Sequence, residues 1–353
     1  MSDTVPGTAL QRERARETFY DEAEAFTPFL GASTSGGLFV VRTRDKNVGR
    51  SLFIKKARGE MRVLSRAVNT LEVLYGHEAV LGKQFVDVGA NIGTTTVPAL
   101  LHHGFATALA VEAEAENFAT LRLNALLNGL EGRLVAVHKA ASNRVGSAEL
   151  VVNPAQGGKH RVVSDSTTAR VRKHEELVRV ETTTLDQLAE EGLFDPARTG
   201  LLWIDAQAHE GQIVDGAGCL TSRGVPILLE WDPAFLDKQG DRGTLHEVAE
   251  RCYSHFAAMR ADLAGEGPKF WLRPVEDLHD YSEQLLHWSS RQKLTDLMLV
   301  RLTEDELPGE PDAGRIDLTA ALSRYTHDHA GPEEPPRGSR RRWPRLLRRA
   351  SKP

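Results

Sequence analysis

Between residues 83 and 302 the chain alternates short apolar runs with stretches of helical spacing. The runs are 84–88, 106–112, 134–137, 201–205, 226–230 and 296–301. Each is nearly continuous in apolar residues, as strands buried on both faces of a parallel sheet should be. Helical spacing falls between them at 95–103, 114–128, 209–220 and 245–264. Pro98 sits in the first turn of the first of these helices, where proline is tolerated. Asn128-Gly129 supplies a carboxyl-terminal stop for the second. This order predicts an α/β protein built on a mostly parallel sheet.

The flanks have a different texture. Residues 9–26 have helical character and 36–41 read as a strand. Phe53, Ile54, Met61, Leu64, Ala67, Leu71 and Leu74 then repeat with helical spacing. Residues 1–80 are read as an N-terminal cap over the sheet, and 81–302 as the main domain. Within it, 146–184 break the rhythm. Strands at 148–152 and 178–184 enclose a turn-rich loop at 153–158, an insertion near the mouth of a site. Residues 303–353 are rich in Pro, Gly and charge and read as a largely unstructured tail.

Composition narrows the possibilities. The chain has 353 residues, enough to bury a full core. Its two cysteines, Cys219 and Cys252, stand in unrelated contexts, so neither a disulfide framework nor a metal-ligand spacing is encoded. The polar N-terminus lacks an apolar signal core, and no apolar run is long enough to cross a bilayer, which points to the cytoplasm. The net charge is −5. Residues 337–353 carry seven Arg, one Lys and no acid, leaving −13 on residues 1–336. An acidic body argues against a specific nucleic-acid partner. In the tail, Trp343, Leu346 and Leu347 would share one helical face flanked by arginines. That pattern suits weak contact with an anionic membrane, and equally a solvated tail.

The densest chemistry lies at Phe85-Val86-Asp87-Val88-Gly89-Ala90-Asn91-Ile92-Gly93, followed by Leu109-Ala110-Val111-Glu112. A buried strand runs into a glycine loop, and a second strand ends in a carboxylate able to accept bonds from ribose hydroxyls. A dinucleotide site usually carries G-x-G-x-x-G against a pyrophosphate. Here the pattern is D-x-G-x-x-x-G, and an acid beside a diphosphate would repel it. Asp87 instead suits a cationic cofactor, and S-adenosyl-L-methionine has a sulfonium, an ammonium and no phosphate.

Together these residues resemble the FkbM family of S-adenosylmethionine-dependent methyltransferases, over roughly 48–302. The resemblance is carried by 85–94, by Glu112-Ala113-Glu114-Ala115-Glu116-Asn117-Phe118 with Leu121, Asn124 and Asn128, and by Thr184-Leu185-Asp186. It continues through Leu202-Trp203-Ile204-Asp205-Ala206-Gln207-Ala208-His209-Glu210 and Ile227-Leu228-Leu229-Glu230. The family implies a doubly wound, Rossmann-like class I methyltransferase fold, with a mostly parallel seven-stranded sheet and helices on both faces. It also implies methylation of a hydroxyl on a saccharide or small natural product. The chain departs from the family after the fourth strand, where Asp-Val-Glu-Gly is common. Gln207 removes a charge, and Ala208 replaces a glycine, which predicts a differently turned loop because alanine resists positive φ.

On this reading Gly89, Ala90, Asn91 and Gly93 line the methionine part of the cofactor, with the sulfonium near Asp87. Glu112 holds the ribose, and Ser142 is placed where an adenine edge would lie. Asn117 and Asn128 either reach this region or serve as capping residues. The acceptor side is expected from Asp205, Gln207, His209 and Glu210 at the carboxyl end of the fourth strand, with Glu230 at the end of the fifth. His209 is the candidate base, since its ordinary pKa lies near neutrality. Asp205 is the other, as base or as a positioning group. No ligand spacing demands a metal. Two other readings stay open: a non-catalytic protein of the same fold that binds the donor, and an NAD-dependent oxidoreductase. The acceptor and the oligomeric state are open as well.

Overall fold

The computed structural model describes residues 8–163, 172, 174–259, 270–287, 294–309 and 315–328. The lead comprises α1 (Ala9–Ala23), β1 (Phe29–Thr34), β2 (Gly37–Arg42), α2 (Val48–Lys55) and α3 (Gly59–Tyr75). The main alternation follows: β3 (Gln84–Val88), α4 (Thr96–His102), β4 (Thr107–Val111), α5 (Ala115–Leu127) and β5 (Leu134–Val137). A small sheet intervenes, made of β6 (Ala140–Ala141), β7 (Gly146–Val152), β8 (Arg161–Val162) and β9 (Glu176–Thr183). Next come α6 (Leu185–Glu190), β10 (Thr199–Ile204), α7 (Glu210–Asp215), α8 (Gly218–Thr221), β11 (Ile227–Trp231), α9 (Pro233–Gln239) and α10 (Arg242–Cys252). The last group is β12 (His255–Ala258), β13 (Trp271–Pro274), α11 (Leu278–His287), β14 (Thr295–Val300), β15 (Ile316–Asp317) and α12 (Thr319–Asp328).

The central sheet has the order β5-β4-β3-β10-β11-β14-β12-β13-β15. The first five strands are parallel, and β14 is inserted antiparallel to both β11 and β12. The first seven in this order form the doubly wound sheet that the resemblance implies. Two short strands, β13 and β15, extend it to nine by antiparallel pairing. The strand order reverses between β3 and β10. That reversal opens a crevice at the carboxyl ends of β3, β4, β10 and β11, where ligands bind in open α/β sheets.

Each face of the sheet is covered by its own core. On one, Leu64, Ala67, Val68 and Leu71 of α3 pack with Phe85, Leu201, Trp203 and Val97. On the other, Ile213, Val214, Leu245, Val248 and Leu278 pack with Val86, Leu202 and Ile204. The β1–β2 hairpin is tied down by side chains rather than by the sheet. Asn124 Oδ1 accepts from Val40 N at 2.7 Å, and Asn128 bonds both the N–H and the C=O of Leu38. Asn128 therefore anchors a strand edge besides capping α5, and it does not reach the crevice.

Three stretches differ from their periodicity. The helix expected over 245–264 ends at Cys252, and β12 follows. Phe256 and Ala257 are both fully buried in the sheet, a pattern that short apolar runs share with helices. Residues 260–264 of that expectation lie outside the described residues. The helix expected over 209–220 is divided into α7 and α8. Gly216 separates them, and a Cβ there would lie 2.2 Å from Ser142 O, so the close approach of two backbones sets the break. Residues 315–328, inside the segment read as unstructured, form β15 and α12, and α12 packs on α3. The basic segment 337–353 lies outside the described residues. Among the described residues no helix is long and apolar enough to cross a membrane.

Candidate active site

The crevice encloses a cavity of about 490 Å³, within the range of small-ligand sites. Gly89, Asn91, Glu112, Asp205, Gln207, His209 and Glu230 line it. Asp87, Ala90, Gly93, Ser142 and Glu210 do not.

The glycine loop is shaped by two strands at once. Gly89 has φ +79°, and a Cβ on it would lie 1.9 Å from Asp205 O, so only glycine lets the β3 loop touch the end of β10. Asn91 also has positive φ, at +53°. Its N–H donates to Glu112 Oε2 at 2.8 Å, and Glu112 Oε1 accepts from Glu114 N at 2.8 Å. Burial is the main reason the Glu112 carboxyl is pushed up to about 7.

Asp87 does not face the cavity, which corrects its placement beside a sulfonium. It is fully buried, and Thr95 and Thr96 donate their hydroxyls to its Oδ2. The acid holds the first turn of α4 beneath the loop, and burial raises it to about 6. Ala90 and Gly93 are packing positions. A Cβ on Gly93 would meet Leu121 at 3.0 Å.

After β10, Gln207 Nε2 donates to Asp205 Oδ1 and to Glu230 Oε2, both at 3.1 Å. The neutral amide thus bridges two carboxylates that would otherwise repel. Burial first, then the charge of Glu60, pushes Asp205 up to about 6. Gln207 and Ala208 adopt φ +53° and +68°. Both residues hold positive φ without being glycine, so the Cβ of Ala208 does not keep it out of that region.

His209 lines the cavity, but its Nε2 meets Ser142 Oγ at 3.1 Å. Burial, then Arg144, lowers its pKa to about 4. It is a weaker proton acceptor than its residue type suggests. Ser142 is spent on this bond and does not reach the cavity. Glu210 is turned back into the fold, its Oε1 accepting from Ala206 N at 2.9 Å. Its Oε2 has no partner, and burial raises the group to about 8.

The turn-rich insertion expected near the mouth of the site is there, but sequence reading missed what it does: 153–160 strap across the glycine loop. Gly157 O accepts from Asn91 Nδ2 at 2.6 Å and from Asn117 Nδ2 at 2.9 Å. Gly157 N donates to Asp45 Oδ1 at 3.2 Å. His160 ends the strap with its side chain only 9% exposed. Asn153 N donates to its Nδ1 at 3.1 Å, which leaves the proton on Nε2. That buried Nε2–H has no hydrogen-bond acceptor, Glu114 Oε2 lying 4.0 Å away, and the residue lines the cavity. Arg58, Glu60, Trp203, Asp232 and Phe235 also line the cavity. The Asn153-Pro154 and Gly157-Gly158 turn signals were visible in the sequence, but not their destination.

A doubly wound sheet with β14 antiparallel, a glycine loop after β3 and an acid after β4 defines a class I methyltransferase. The Methyltransferase FkbM domain model matches residues 87–264, half of the chain, and the protein belongs to that family. No curated protein matches it in sequence. Several solved structures are similar at a distance. The FkbM methyltransferase of Methylobacillus flagellatus KT is 12% identical, with a TM-score of 0.36 over 62% of this chain and 43% of that one. TYW2 of M. jannaschii, solved with AdoMet, is 10% identical, with a TM-score of 0.34 over 78% of this chain and 87% of that one. The T. thermophilus 16S rRNA N2 G1207 methyltransferase, solved with AdoMet and guanosine, is 15% identical, with a TM-score of 0.34 over 78% and 50%. The chain thus spans less than half the length of its FkbM relative.

Proposed function

We propose that this protein is an S-adenosylmethionine-dependent O-methyltransferase whose acceptor is a hydroxyl of a saccharide or small natural product. One observation carries the reading. Glu112 and Asp205 line a single cavity from the two strands that flank β3, Glu112 after β4 and Asp205 after β10.

The residues present fit the donor. Glu112 offers a carboxylate to a vicinal diol, a bidentate geometry that neutral groups imitate poorly. His160, which lines the cavity with its Nε2–H only 4.0 Å from Glu114, could turn that donor to an acceptor atom on an adenosine. Gly89 and Asn91 supply the loop that keeps this end open. When bound, S-adenosylmethionine supplies an electrophilic methyl group carried on a sulfonium.

On the other side Asp205 is the base. Its raised pKa brings it near neutrality, where a carboxylate is most effective at removing a hydroxyl proton. Gln207 fixes its orientation and separates it from Glu230. His209 is a wall residue held by Ser142 and not the base. Trp203 and Phe235 supply apolar wall that helps to exclude water. In domain terms, residues 81–302 carry Glu112 and Asp205, while residues 1–80 add Arg58 and Glu60 to the cavity wall and brace the strap through Asp45.

The test is transfer of isotopic methyl from S-adenosylmethionine to a panel of saccharides and polyhydroxylated small molecules, with NMR assignment of the product. Label on oxygen supports the reading. Label on carbon or nitrogen contradicts the choice of acceptor atom.

A further inference from the structure

A second cavity of about 470 Å³ opens beside the first and shares Arg58 and Glu60 with it. Arg62, Arg66, Ser51 and Met259 complete its polar and apolar walls. The three arginines recur every four residues along the start of α3, so they form one stripe.

Their bonding is uneven. Arg58 is paired with Glu60 and reaches Asn47 Oδ1 at 3.4 Å, yet its buried Nε has no acceptor. Arg66 donates to Met259 O at 2.6 Å and lies over the Phe270 ring at 5.8 Å, so its guanidinium is fixed in place. Arg62 is exposed and has no hydrogen bond or ion pair among the described residues. Among the described residues Glu60 is the one acid lining this cavity, and it offsets one of the three charges. The groove lies at the amino end of a 17-residue helix, whose dipole adds to the same sign. Guanidinium forks match the planar oxygens of phosphate and carboxylate.

We propose that Arg58, Arg62 and Arg66 form an anion site that holds a phosphate or carboxylate group of the acceptor. The inference rests on the proposed function, because the shared wall places such an anion beside Asp205. The acceptor is then an acidic molecule, such as a sugar phosphate or a sugar acid, rather than a neutral polyol. The arginines bind and orient; they are not catalytic.

The test is calorimetric titration of the full chain with inorganic pyrophosphate and, separately, with malonate, each with and without S-adenosylhomocysteine. Saturable binding of either anion, weakened about tenfold or more by Arg62→Gln, is the expected result. Arg62→Lys should recover part of the loss, since it keeps the charge but not the fork. Preference for pyrophosphate identifies a phosphate-bearing acceptor, and preference for malonate a carboxylate. Arg62 is exposed, so the variant should fold. Binding that Arg62→Gln leaves unchanged belongs to other arginines, such as those of the C-terminal segment, and overturns the proposal. So does the absence of anion binding. Failure of S-adenosylhomocysteine to bind would sink the methyltransferase reading but not the anion result. Its binding without anion binding would sink only the anion site.

Discussion

Glu112 accepts the backbone N–H of Asn91 at 2.8 Å, so the acid that follows one strand also fixes the glycine loop that follows its neighbour. The two parts of the motif are one mechanical unit. A change at either reaches the other without any ligand present.

The same coupling makes Gly89 intolerant. Gly89→Ala would drive a Cβ against Asp205 O and force a non-glycine residue to φ +79°. We expect a loss of about 3 kcal/mol or more, since the clash is with backbone rather than with a yielding side chain. Gly129→Ala, just past the end of α5, is the control, with φ +69° but open space around it. It should cost about 1–2 kcal/mol. Equal losses in urea unfolding would contradict the close contact between the β3 loop and β10.

Stability should fall as pH rises from about 6.5 toward 8. Asp87, Glu112 and Glu210 all have folded pKa values above their ordinary ones. On these groups the folded chain therefore holds more protons than the unfolded chain between those limits, and their contribution to stability declines through that window. For Glu210 the window runs from 4.5 to about 8. Below about 6.5, His103, His209 and His246, whose pKa values burial lowers to about 4, act in the opposite sense. Thermal midpoints should therefore drop chiefly between about pH 6.5 and 8, where Glu112 and Glu210 ionise. Glu210→Gln should flatten the upper part of the curve. A wild-type midpoint that rises over this range would show that these acids are not buried as described.

Turnover should depend on Asp205 and much less on His209. Asp205→Asn keeps the bond to Gln207 in reach but removes the proton acceptor, so kcat should fall roughly a hundredfold or more. Donor binding should change little. The wild-type rate should climb with pH through about 6 and then level, as Asp205 ionises. His209→Asn should lose less than about tenfold, the lower limit expected for a general base being greater. A large kcat loss in His209→Asn alone would reverse the assignment.

The strap is expected to open locally. Asn117→Ala removes one of the two side-chain donors to Gly157 O. Hydrogen exchange at the Gly157 amide should quicken by about tenfold, the effect of one lost hydrogen bond of ordinary strength. Exchange elsewhere in the central sheet should not change. Unchanged protection at Gly157 would mean that Asp45 and Asn91 hold the strap without Asn117.

Much of this architecture was legible because its signals are local. Residues 84–88 and 134–137 read as strands from continuous apolar runs and are found at those bounds. Glu112 reads as a site acid from its distance to the glycine loop. What stayed hidden depends on distant partners. Gly157 meets Asn91 66 residues away and Asp45 112 residues away, and nothing in the local pattern encodes either contact. Asp87 and Glu210 carry the right chemistry in the right blocks, but sequence does not say which way a side chain points. Both turn into the fold. The 255–258 segment has an apolar run too short to separate strand from helix. Ala208 shows the limit of a propensity argument, because the surrounding loop holds it at φ +68° despite its Cβ.

The most direct test of the central claim is calorimetric titration with S-adenosylhomocysteine, for the wild-type chain and Glu112→Ala, with NAD as control. Folding of the variant is checked by its thermal midpoint. The account predicts micromolar binding by the wild type, a loss of about tenfold or more in the variant, and no binding of NAD. Absence of binding by the wild type, or equal affinity in the folded variant, would contradict it.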